Sequence, residues 1–391
     1  MSASSPLSAA IPGVRILDLS RLLPGPYTTR LLADLGAEVI KVETPLLGDY
    51  ARHLGPGFGG DTMFRMLNRG KRSLGLNYRN RQGREIFLRL AEQADVVVES
   101  FRPGSMERWG LGYPRVRERN PRIIYCSLSG YGQEGPFRDR PGHDLNYLAL
   151  SGMLGLTSIR EGPPAPLPVQ VADLNGGMFA AIGILAALLR RQIGGEGAFL
   201  DIAMMDTVVH WLLPTAGASY YSSGQAPRRE SLPLMGAVPC YAVYQAEDGR
   251  YLALGALESP FWGAFCTALD RPDLISSQFD PAAIPVVQDL IRSRPAEAWL
   301  TLMEGKQIPI DLVQNVAEAL GDPRVNRKYP RPGNRGDAAL LPSLFPFKGA
   351  AGEAPALGED SLELLMTAGY DRAEIDRWIQ SGLVRTGPGS S

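Results

Sequence analysis

The stretch from Val14-Arg-Ile-Leu-Asp-Leu to Glu38-Val-Ile-Lys-Val-Glu decides the fold of this chain. Both ends are short aliphatic runs of the kind that form buried strands. Between them, Leu23-Pro-Gly-Pro breaks the first strand, residues 27–35 have the spacing of an amphipathic helix, and Gly36 ends that helix. Strand, helix and strand in this order make a βαβ unit, which predicts a parallel sheet.

The same alternation continues along the chain. Further strands are predicted at Lys71-Arg-Ser-Leu-Gly-Leu-Asn, Asp95-Val-Val-Val-Glu and Arg122-Ile-Ile-Tyr-Cys-Ser-Leu, with a helix over 83–93. This pattern predicts an α/β fold with a large, Rossmann-like, doubly wound sheet. Because no G-x-G-x-x-G motif follows the first strand, dinucleotide binding is disfavoured.

Composition shifts divide the chain into segments. Residues 1–13 are expected to be a disordered tail rather than a signal peptide, and residues 14–216 a large Rossmann-like domain. Residues 217–233, rich in Ser, Gly, Pro and Arg, are interpreted as a linker. A smaller α+β domain over 234–325 contains a hairpin at Asp248-Gly, and residues 326–391 run extended before C-terminal helices that pack on the large domain.

Charge and composition exclude several classes of partner. The 391 residues are 45% hydrophobic and 21% charged with a formal net charge of −1, so we expect neither nucleic-acid nor membrane binding. The most apolar segment, residues 178–189, is shorter than the roughly 20 residues that span a bilayer. Three cysteines without a C-x-x-C motif indicate a reducing, cytoplasmic compartment, and three scattered histidines predict no metal site.

His143, in Gly142-His-Asp-Leu-Asn-Tyr-Leu-Ala-Leu, is the first candidate for chemistry. It sits in a loop that enters a predicted helix. Its imidazole either satisfies backbone groups at the helix start or acts as a general base, since its unperturbed pKa lies near working pH. A base at a helix N-terminus would benefit from a carboxylate partner, for which Glu258 is the candidate.

Asp173 is the second candidate, directly ahead of the longest apolar helix. It is either a helix N-cap or a reactive carboxylate. Gly176-Gly177 in the first turn disfavours the helix, which is understandable if a ligand comes close to the backbone there. The helix N-terminus would then also stabilise an anion such as the enolate oxygen of a thioester.

Glu258 and the basic residues are weaker signals. Glu258 lies in a turn, where a glutamate is usually solvated. Lys71, Arg72, Arg102 and Arg108 lie at strand ends and loops, where they either maintain solubility or contact phosphates at the carboxyl ends of parallel strands.

These motifs resemble the class III CoA-transferase (CaiB/BaiF) superfamily, and most of all its α-methylacyl-CoA racemase branch. The resemblance covers nearly the whole chain. It rests on Leu35-Gly-Ala-Glu-Val-Ile-Lys-Val-Glu, Asn68-Arg-Gly-Lys-Arg-Ser, Phe101-Arg-Pro-Gly, Leu128-Ser-Gly-Tyr-Gly-Gln, Gly142-His-Asp-Leu-Asn-Tyr and Ala172-Asp-Leu.

The resemblance implies an interlocked homodimer that acts on an acyl-CoA thioester, with no cofactor beyond the CoA of the substrate. In transferases the residue matching Asp173 is a nucleophile, whereas in racemases it is one of two acid/base groups, opposite a histidine paired with a glutamate. His143 and Glu258 fill those two positions, which favours 2-methylacyl-CoA racemization or epimerization over CoA transfer and over CoA binding without catalysis. The implied CoA-site residues are Leu76, Asn77, Ser100, Phe101, Arg102, Arg108, Gly142, Asp144, Asn146 and Tyr147, together with Lys71 and Arg72.

Two positions depart from the pattern of the family. Thr44 replaces a basic residue that often follows the Val-Glu strand, which removes one phosphate contact. Asn175 stands where racemases usually carry a small or aromatic residue, so the acyl preference is expected to differ.

Overall fold

A computed structural model of the chain describes residues 7–158, 162–325 and 342–388. The strands are Arg15–Asp18 (β1), Glu38–Glu43 (β2), Arg72–Leu76 (β3), Val96–Glu99 (β4), Ile124–Ser129 (β5), Ala198–Ala203 (β6), Tyr241–Gln245 (β7), Tyr251–Gly255 (β8), Ile310–Leu312 (β9) and Val384–Arg385 (β10). The first eight α-helices are Pro24–Asp34 (α1), Thr62–Asn68 (α2), Arg81–Glu92 (α3), Ser105–Arg108 (α4), Tyr113–Arg119 (α5), Asp144–Ser151 (α6), Val171–Gly194 (α7) and Met204–Leu212 (α8). Those that follow are Ala218–Ser223 (α9), Ser259–Ala268 (α10), Ile284–Ile291 (α11), Ala296–Met303 (α12), Val316–Gly321 (α13), Ser361–Thr367 (α14) and Arg372–Gln380 (α15).

Seven strands form one sheet in the order β10-β3-β2-β1-β4-β5-β6. All neighbours in it are parallel except β10, which pairs antiparallel with β3. The order 3-2-1-4-5-6 is that of a doubly wound dinucleotide-type fold, with the switch point between β1 and β4. The predicted α/β class with a large parallel sheet is therefore confirmed.

Both faces of this sheet are covered by helices. On one face, α3, α5, α14 and α15 pack against alternate residues of the strands, such as Leu17, Val97 and Tyr125. On the other, α1 and α7 pack against Ile16, Val96 and the residues in phase with them. Successive side chains of a strand point to opposite faces, so each aliphatic run supplies both cores at once.

The two ends of the chain close the same unit. The prediction of a disordered N-terminal tail is wrong for residues 7–13. The Leu7 N–H donates to Pro346 O at 2.8 Å, and the Ala10 and Ile11 N–H groups donate to Leu35 O. Backbone hydrogen bonds to the returning segment and to Leu35 thus order residues that carry no strand or helix signal of their own. Residues 1–6 and 326–341 lie outside the described residues, while α14, α15 and β10 belong to the core of the large sheet.

The chain divides into two compact units, and the second comprises residues 152–167 and 211–327. It contains the antiparallel sheet β7-β8-β9 and an apolar core built with Trp262, Phe265 and Trp299 of α10 and α12. The hairpin predicted at Asp248-Gly is confirmed, since β7 pairs antiparallel with β8 and Gly249 has a φ of 79°.

These bounds differ from those predicted from composition. Residues 211–216 belong with the second unit rather than with the large domain, and so do residues 152–167. The stretch interpreted as a linker contains helix α9, and it is flanked by a π-helical turn at Leu213–Gly217 and a 3₁₀ turn at Pro233–Met235. Composition misled here because serine, glycine and arginine are compatible with short helices as well as with loops.

Helix α7 is longer than its apolar segment suggested. It spans 24 residues with a mean hydropathy of 1.7 in its most apolar window, and by length and composition alone it could cross a membrane. Half of that window is buried, and the buried residues, which include Ala180 and Ile184, pack in the core of the sheet.

Candidate functional site

A cavity of about 500 Å³ opens at the carboxyl ends of β1, β4, β5 and β6, beside the switch point of the sheet. Open α/β sheets place their ligands in this crevice. The cavity is lined by Arg21, Leu22, Pro24, Tyr50, Ser100, Phe101, Arg102, Pro103, Leu128, Ser129, Gly130, Tyr131, Arg138, Asp139, Arg140, Pro141, Gly142, His143, Tyr147, Asp173 and Met204. His143 and Asp173, the two predicted acid/base residues of this unit, therefore share one cavity.

Asp173 is not a helix cap. It lies in the first turn of α7, two residues inside the helix, and Asp144 provides the capping oxygen instead. The Ala172 N–H donates to Asp144 Oδ1 at 2.6 Å, and the Asp173 N–H donates to the same oxygen at 3.3 Å. Burial, assisted by the nearby Asp144 charge, raises the pKa of Asp173 to about 7. A carboxyl group with that pKa can both accept and donate a proton near neutral pH.

Two expectations about the start of α7 are wrong. The N–H groups expected to receive an enolate oxygen are already bonded to Asp144. The glycine pair serves helix packing rather than ligand approach. A Cβ at Gly176 would lie 2.6 Å from Met204 Cγ, and one at Gly177 would lie 2.7 Å from Pro24 O. The glycines thus let α7 approach α1 and the start of α8 closely.

The backbone of His143 is fixed while its side chain is exposed. Its N–H donates to Asn146 Oδ1 at 3.0 Å, and its carbonyl accepts from the Asn146 N–H at 2.8 Å. This reciprocal pair resembles a capping box, in which a side chain three residues into the helix bonds back to the entry residue. The alternative in which the His143 side chain satisfies backbone groups at the helix start is therefore disfavoured, since the Asn146 side chain has that role.

Tyr147 fixes the loop that carries His143. Its hydroxyl donates to Gly142 O at 2.7 Å, and its ring packs over Gly130, where an added Cβ would lie 2.5 Å from the ring. Tyr131 meets this ring edge to face, with ring centroids 5.1 Å apart. Burial raises the pKa of Tyr147 further above its ordinary value, and the charge of Asp173 contributes. Asp173, Tyr147 and Gly142 therefore form one wall of the cavity.

The predicted CoA residues fall into three groups. Ser100, Phe101, Arg102, Gly142 and Tyr147 line the cavity. Asp144 and Asn146 hold the helix starts described above. The remaining ones are not among the lining residues: Leu76 is buried at the end of β3, the Asn77 N–H donates to Leu383 O, and Arg108 Nη2 donates to Ser105 Oγ.

Lys71 and Arg72 are engaged elsewhere, which corrects their assignment. Lys71 Nζ is buried and donates to Asp18 Oδ2 at 3.1 Å and to Thr29 Oγ1 at 2.7 Å. Arg72, at the amino end of β3, pairs with Glu38 at 3.1 Å and with Asp360 at 3.3 Å. Both cations are bound by the protein itself.

Glu258 belongs to the second unit, where it occupies the N-cap position of α10 and is exposed. Its carboxylate makes no capping hydrogen bond to that helix. The pairing of Glu258 with His143 stays a prediction.

Sequence reasoning missed several cavity residues, above all Arg21, Arg138 and Arg140. Arg21 follows directly on β1, so the switch-point rule could have found it. Its guanidinium lies 4.6 Å from the centroid of the Phe101 ring and 4.7 Å from that of Tyr50. Within the described ranges, no group of three or more His, Cys, Asp or Glu side chains is arranged to hold a metal ion.

Comparison with known proteins places this geometry in a family. The model of CoA-transferase family III matches residues 11–361. Succinyl-CoA:mesaconate CoA-transferase of Haloarcula marismortui is 36% identical over 394 residues, which cover 93% of this chain and 97% of that protein. Human alpha-methylacyl-CoA racemase is 31% identical over 401 residues, which cover 96% and 99%. The crystal structure of a CaiB/BaiF family protein from Brucella suis has a TM-score of 0.78 and 28% identity, and the match covers 91% of this chain and 98% of that one.

In this doubly wound α/β protein, titratable residues line a cavity at the switch point of the sheet. This arrangement is typical of enzymes. The chain belongs to CoA-transferase family III, whose members act on acyl-CoA thioesters. Proteins named as transferases and proteins named as racemases both occur among the relatives, so the family alone does not single out one reaction.

Proposed function

We propose that this protein racemizes or epimerizes 2-methylacyl-CoA thioesters by proton transfer at the α-carbon. The observation that carries the proposal is that His143 and Asp173 line one cavity. A 1,1-proton transfer needs a base on one face of the carbon and an acid on the other, and an imidazole and a carboxyl group can each take either part. Transfer of CoA through an aspartyl intermediate requires the carboxylate alone.

In the proposed reaction, one of the two bases removes the α-proton and leaves a planar enolate, and the other returns a proton to the opposite face. A raised pKa near 7 suits Asp173 to both directions. The Asp144 and Leu145 N–H groups at the start of α6, which precede the first hydrogen bond of that helix, are proposed to receive the enolate oxygen. The CoA handle, bound through Phe101 and the cavity arginines, would hold the α-carbon between the bases. Glu258 is proposed to orient His143, in a homodimer of the family type.

The second candidate is CoA transfer between carboxylic acids with Asp173 as nucleophile. It is supported by relatives named as CoA-transferases, among them the 36% identical protein cited above. Both candidates use the same cavity and the same thioester, so a single experiment can separate them.

The test is to incubate the purified protein with (S)-2-methylacyl-CoA in D₂O and to follow the α-proton by NMR and the configuration by chiral chromatography. The isomerase predicts exchange with inversion in the absence of any free acid. Absence of exchange, together with CoA transfer to added succinate and conversion of Asp173 to its hydroxamate by hydroxylamine, would overturn the isomerase in favour of the transferase.

A further inference from the structure

Glu99 is a buried carboxylate that the proposed chemistry does not use. It ends β4 directly beneath the cavity wall formed by Ser100 and Phe101, and its residue is only 4% exposed. No Lys or Arg forms an ion pair with it among the described residues. Instead, the charged or titratable groups that face it are Glu107 of α4, Asp201 of β6, and Tyr125 and Cys126 of β5. A buried carboxylate among other acids costs stability, so its presence calls for a role.

Glu99 is joined to two walls of the cavity by hydrogen bonds. One carboxylate oxygen, Oε2, accepts the Phe101 N–H at 2.8 Å. The other, Oε1, accepts the hydroxyl of Ser127, its partner in the parallel register of β4 and β5. Ser127 Oγ in turn accepts from Gln133 Nε2 at 2.7 Å.

Gln133 carries this connection into the loop over the cavity. Its carbonyl accepts from Arg138 Nε at 2.8 Å, and its N–H donates to Asp201 Oδ2 at 2.8 Å. Arg138 lines the cavity, and four residues further on the loop reaches Gly142 and His143. The chain of bonds therefore runs from the Phe101 wall through Glu99, Ser127 and Gln133 to the arginine wall.

We propose that Glu99 is a positioning residue for CoA binding, which sets the Phe101–Arg102 wall and the Arg138 wall of the cavity relative to each other through Ser127 and Gln133. The ionised carboxylate accepts from Phe101 and Ser127 at once, while the Ser127 oxygen accepts from Gln133. A protonated Glu99 is uncharged, so it accepts more weakly from Phe101. Where it donates to Ser127, that bond is reversed and the Ser127 hydroxyl must turn, which disturbs the contact between Ser127 and Gln133. This inference rests on CoA being the ligand of the cavity, and it does not depend on which reaction follows.

The direction of the pH dependence follows from the same geometry. Burial raises the pKa of Glu99 to about 7, although Ser127 and the Phe101 N–H oppose the shift. The bonded arrangement is therefore present above this pH and is lost as the pH falls through it. Glu99→Gln mimics the protonated state, because its amide donates where the acid would.

The experiment is calorimetric titration of CoA into the full-length protein and its variants from pH 5.5 to 8.5. At pH 8, Glu99→Gln and Ser127→Ala should each weaken CoA binding about tenfold, as expected for one charge-assisted hydrogen bond. The double variant should be no weaker than either single one, since both break the same chain of bonds. The ratio of the dissociation constants of Glu99→Gln and wild type should fall toward one at pH 5.5. At saturating thioester, the rate of α-proton exchange should change much less than the dissociation constant.

Glu107→Gln is the matched control, because it removes a neighbouring but exposed carboxylate, and it should leave CoA binding unchanged. Thermal unfolding of each variant checks the fold, and Ser127→Ala tests the connection if Glu99→Gln does not fold. A ratio near one at every pH, additive effects in the double variant, or no CoA binding by the wild-type protein would overturn the inference. Wild-type CoA binding without α-proton exchange would overturn the proposed isomerase and leave this inference standing.

Discussion

Two halves of the large sheet bury carboxylates in opposite ways. Near β1, β2 and β3, Asp18 lies among cations. Burial by itself would raise its pKa, but the charges of Lys71 and Lys41 and the hydroxyls of Ser20 and Thr29 lower it to about 2. Beside β5 and β6, burial raises the pKa of Asp173 to about 7, and its neighbour Asp144 adds to the shift rather than opposing it.

The two sides of the sheet differ in whether their buried carboxylates have cationic partners, and this difference distinguishes structural carboxylates from reactive ones. On the β1–β3 side each buried lysine has a carboxylate partner: Lys71 pairs with Asp18 at 3.1 Å, and Lys41 pairs with Asp49 at 2.8 Å. On the β4–β6 side, neither Asp173 nor Glu99 forms an ion pair among the described residues. The paired carboxylates Asp18 and Asp49 have lowered pKa values and stay ionised near neutral pH, whereas an unpaired acid with a raised pKa is available for proton transfer.

Asp173→Asn should have the largest effect, because it tests directly whether the unpaired carboxylate takes part in proton transfer. If Asp173 exchanges protons with the substrate, the variant should lose α-proton exchange by a factor of about 10²–10⁴, the usual contribution of an acid/base group. Deuterium incorporation followed by NMR measures the loss. Asp206→Asn is the matched control, since Asp206 also lies in the first turn of a helix, α8, but is exposed. Equal losses in both variants would contradict the contrast.

Lys71→Met tests the side of the sheet near β1–β3, where the buried carboxylates have cationic partners. It removes the cation that contacts Asp18, Pro26 O, Thr29 and Asn68, and leaves Asp18 buried with less compensation. Breaking such a pair should lower the free energy of unfolding by about 3–5 kcal/mol, measured by urea denaturation. Adding Asp18→Asn to Lys71→Met should recover part of that loss, since it removes the uncompensated charge.

Arg72→Met is the control for Lys71→Met at the adjacent position. Its pairs with Glu38, Asp360 and Glu363 are partly exposed, so about 1 kcal/mol or less is expected. A loss as large as that of Lys71→Met would mean that burial does not distinguish the two cations.

The strand and helix order of the large sheet could be predicted from the sequence because each element carries a local signal. Aliphatic runs such as Val96–Glu99 bury both faces, and Gly36 ends α1 with a φ of 102°. Ordering of residues 7–13 could not be predicted, because it comes from backbone bonds to Leu35 and to the returning segment at Pro346, both distant along the chain.

The sequence singled out two residues, His143 and Asp173, that line one cavity, but it did not indicate the residues that support them. His143 and Asp173 stood out by residue type and motif. The roles of Lys71, Gly177 and Asp144 depend on which neighbour each meets in space: a buried acid, the Pro24 carbonyl, and the N–H groups of α7. Local sequence carries no signal for such long-range partners, and both a phosphate contact and a buried ion pair are compatible with a lysine at a strand end.

The two kinds of buried carboxylate should also give the stability of the protein opposite pH dependences. The folded-state pKa of Asp173, about 7, exceeds the ordinary value of an aspartate, 3.8, so the folded chain binds the extra proton and stability falls as the pH rises between these values. The free energy of unfolding of Asp173→Asn should therefore match that of wild type near pH 4 and exceed it at pH 8, by up to about 4 kcal/mol.

The stability of Asp18→Asn relative to wild type should change with pH in the opposite sense. The pKa of Asp18, about 2, lies below the ordinary value of an aspartate, so its contribution to stability is present above pH 4 and lost toward pH 2. Urea denaturation at several pH values measures both, and equal slopes would contradict the assignment.

The smallest effect concerns the glycines of α7, and it tests whether the scaffold or the ligand requires them. Gly177→Ala would place a methyl group 2.7 Å from Pro24 O, a backbone atom that cannot move aside without shifting α1. We expect a loss of about 1–3 kcal/mol in the free energy of unfolding, and slower α-proton exchange because Asp173 lies one turn away. Gly183→Ala in the same helix meets its nearest atom only at 3.5 Å and should be neutral or stabilising by up to about 1 kcal/mol. If Gly177→Ala instead unfolds like wild type but binds CoA poorly, the glycine serves the ligand, and close packing of α7 on α1 does not explain the motif.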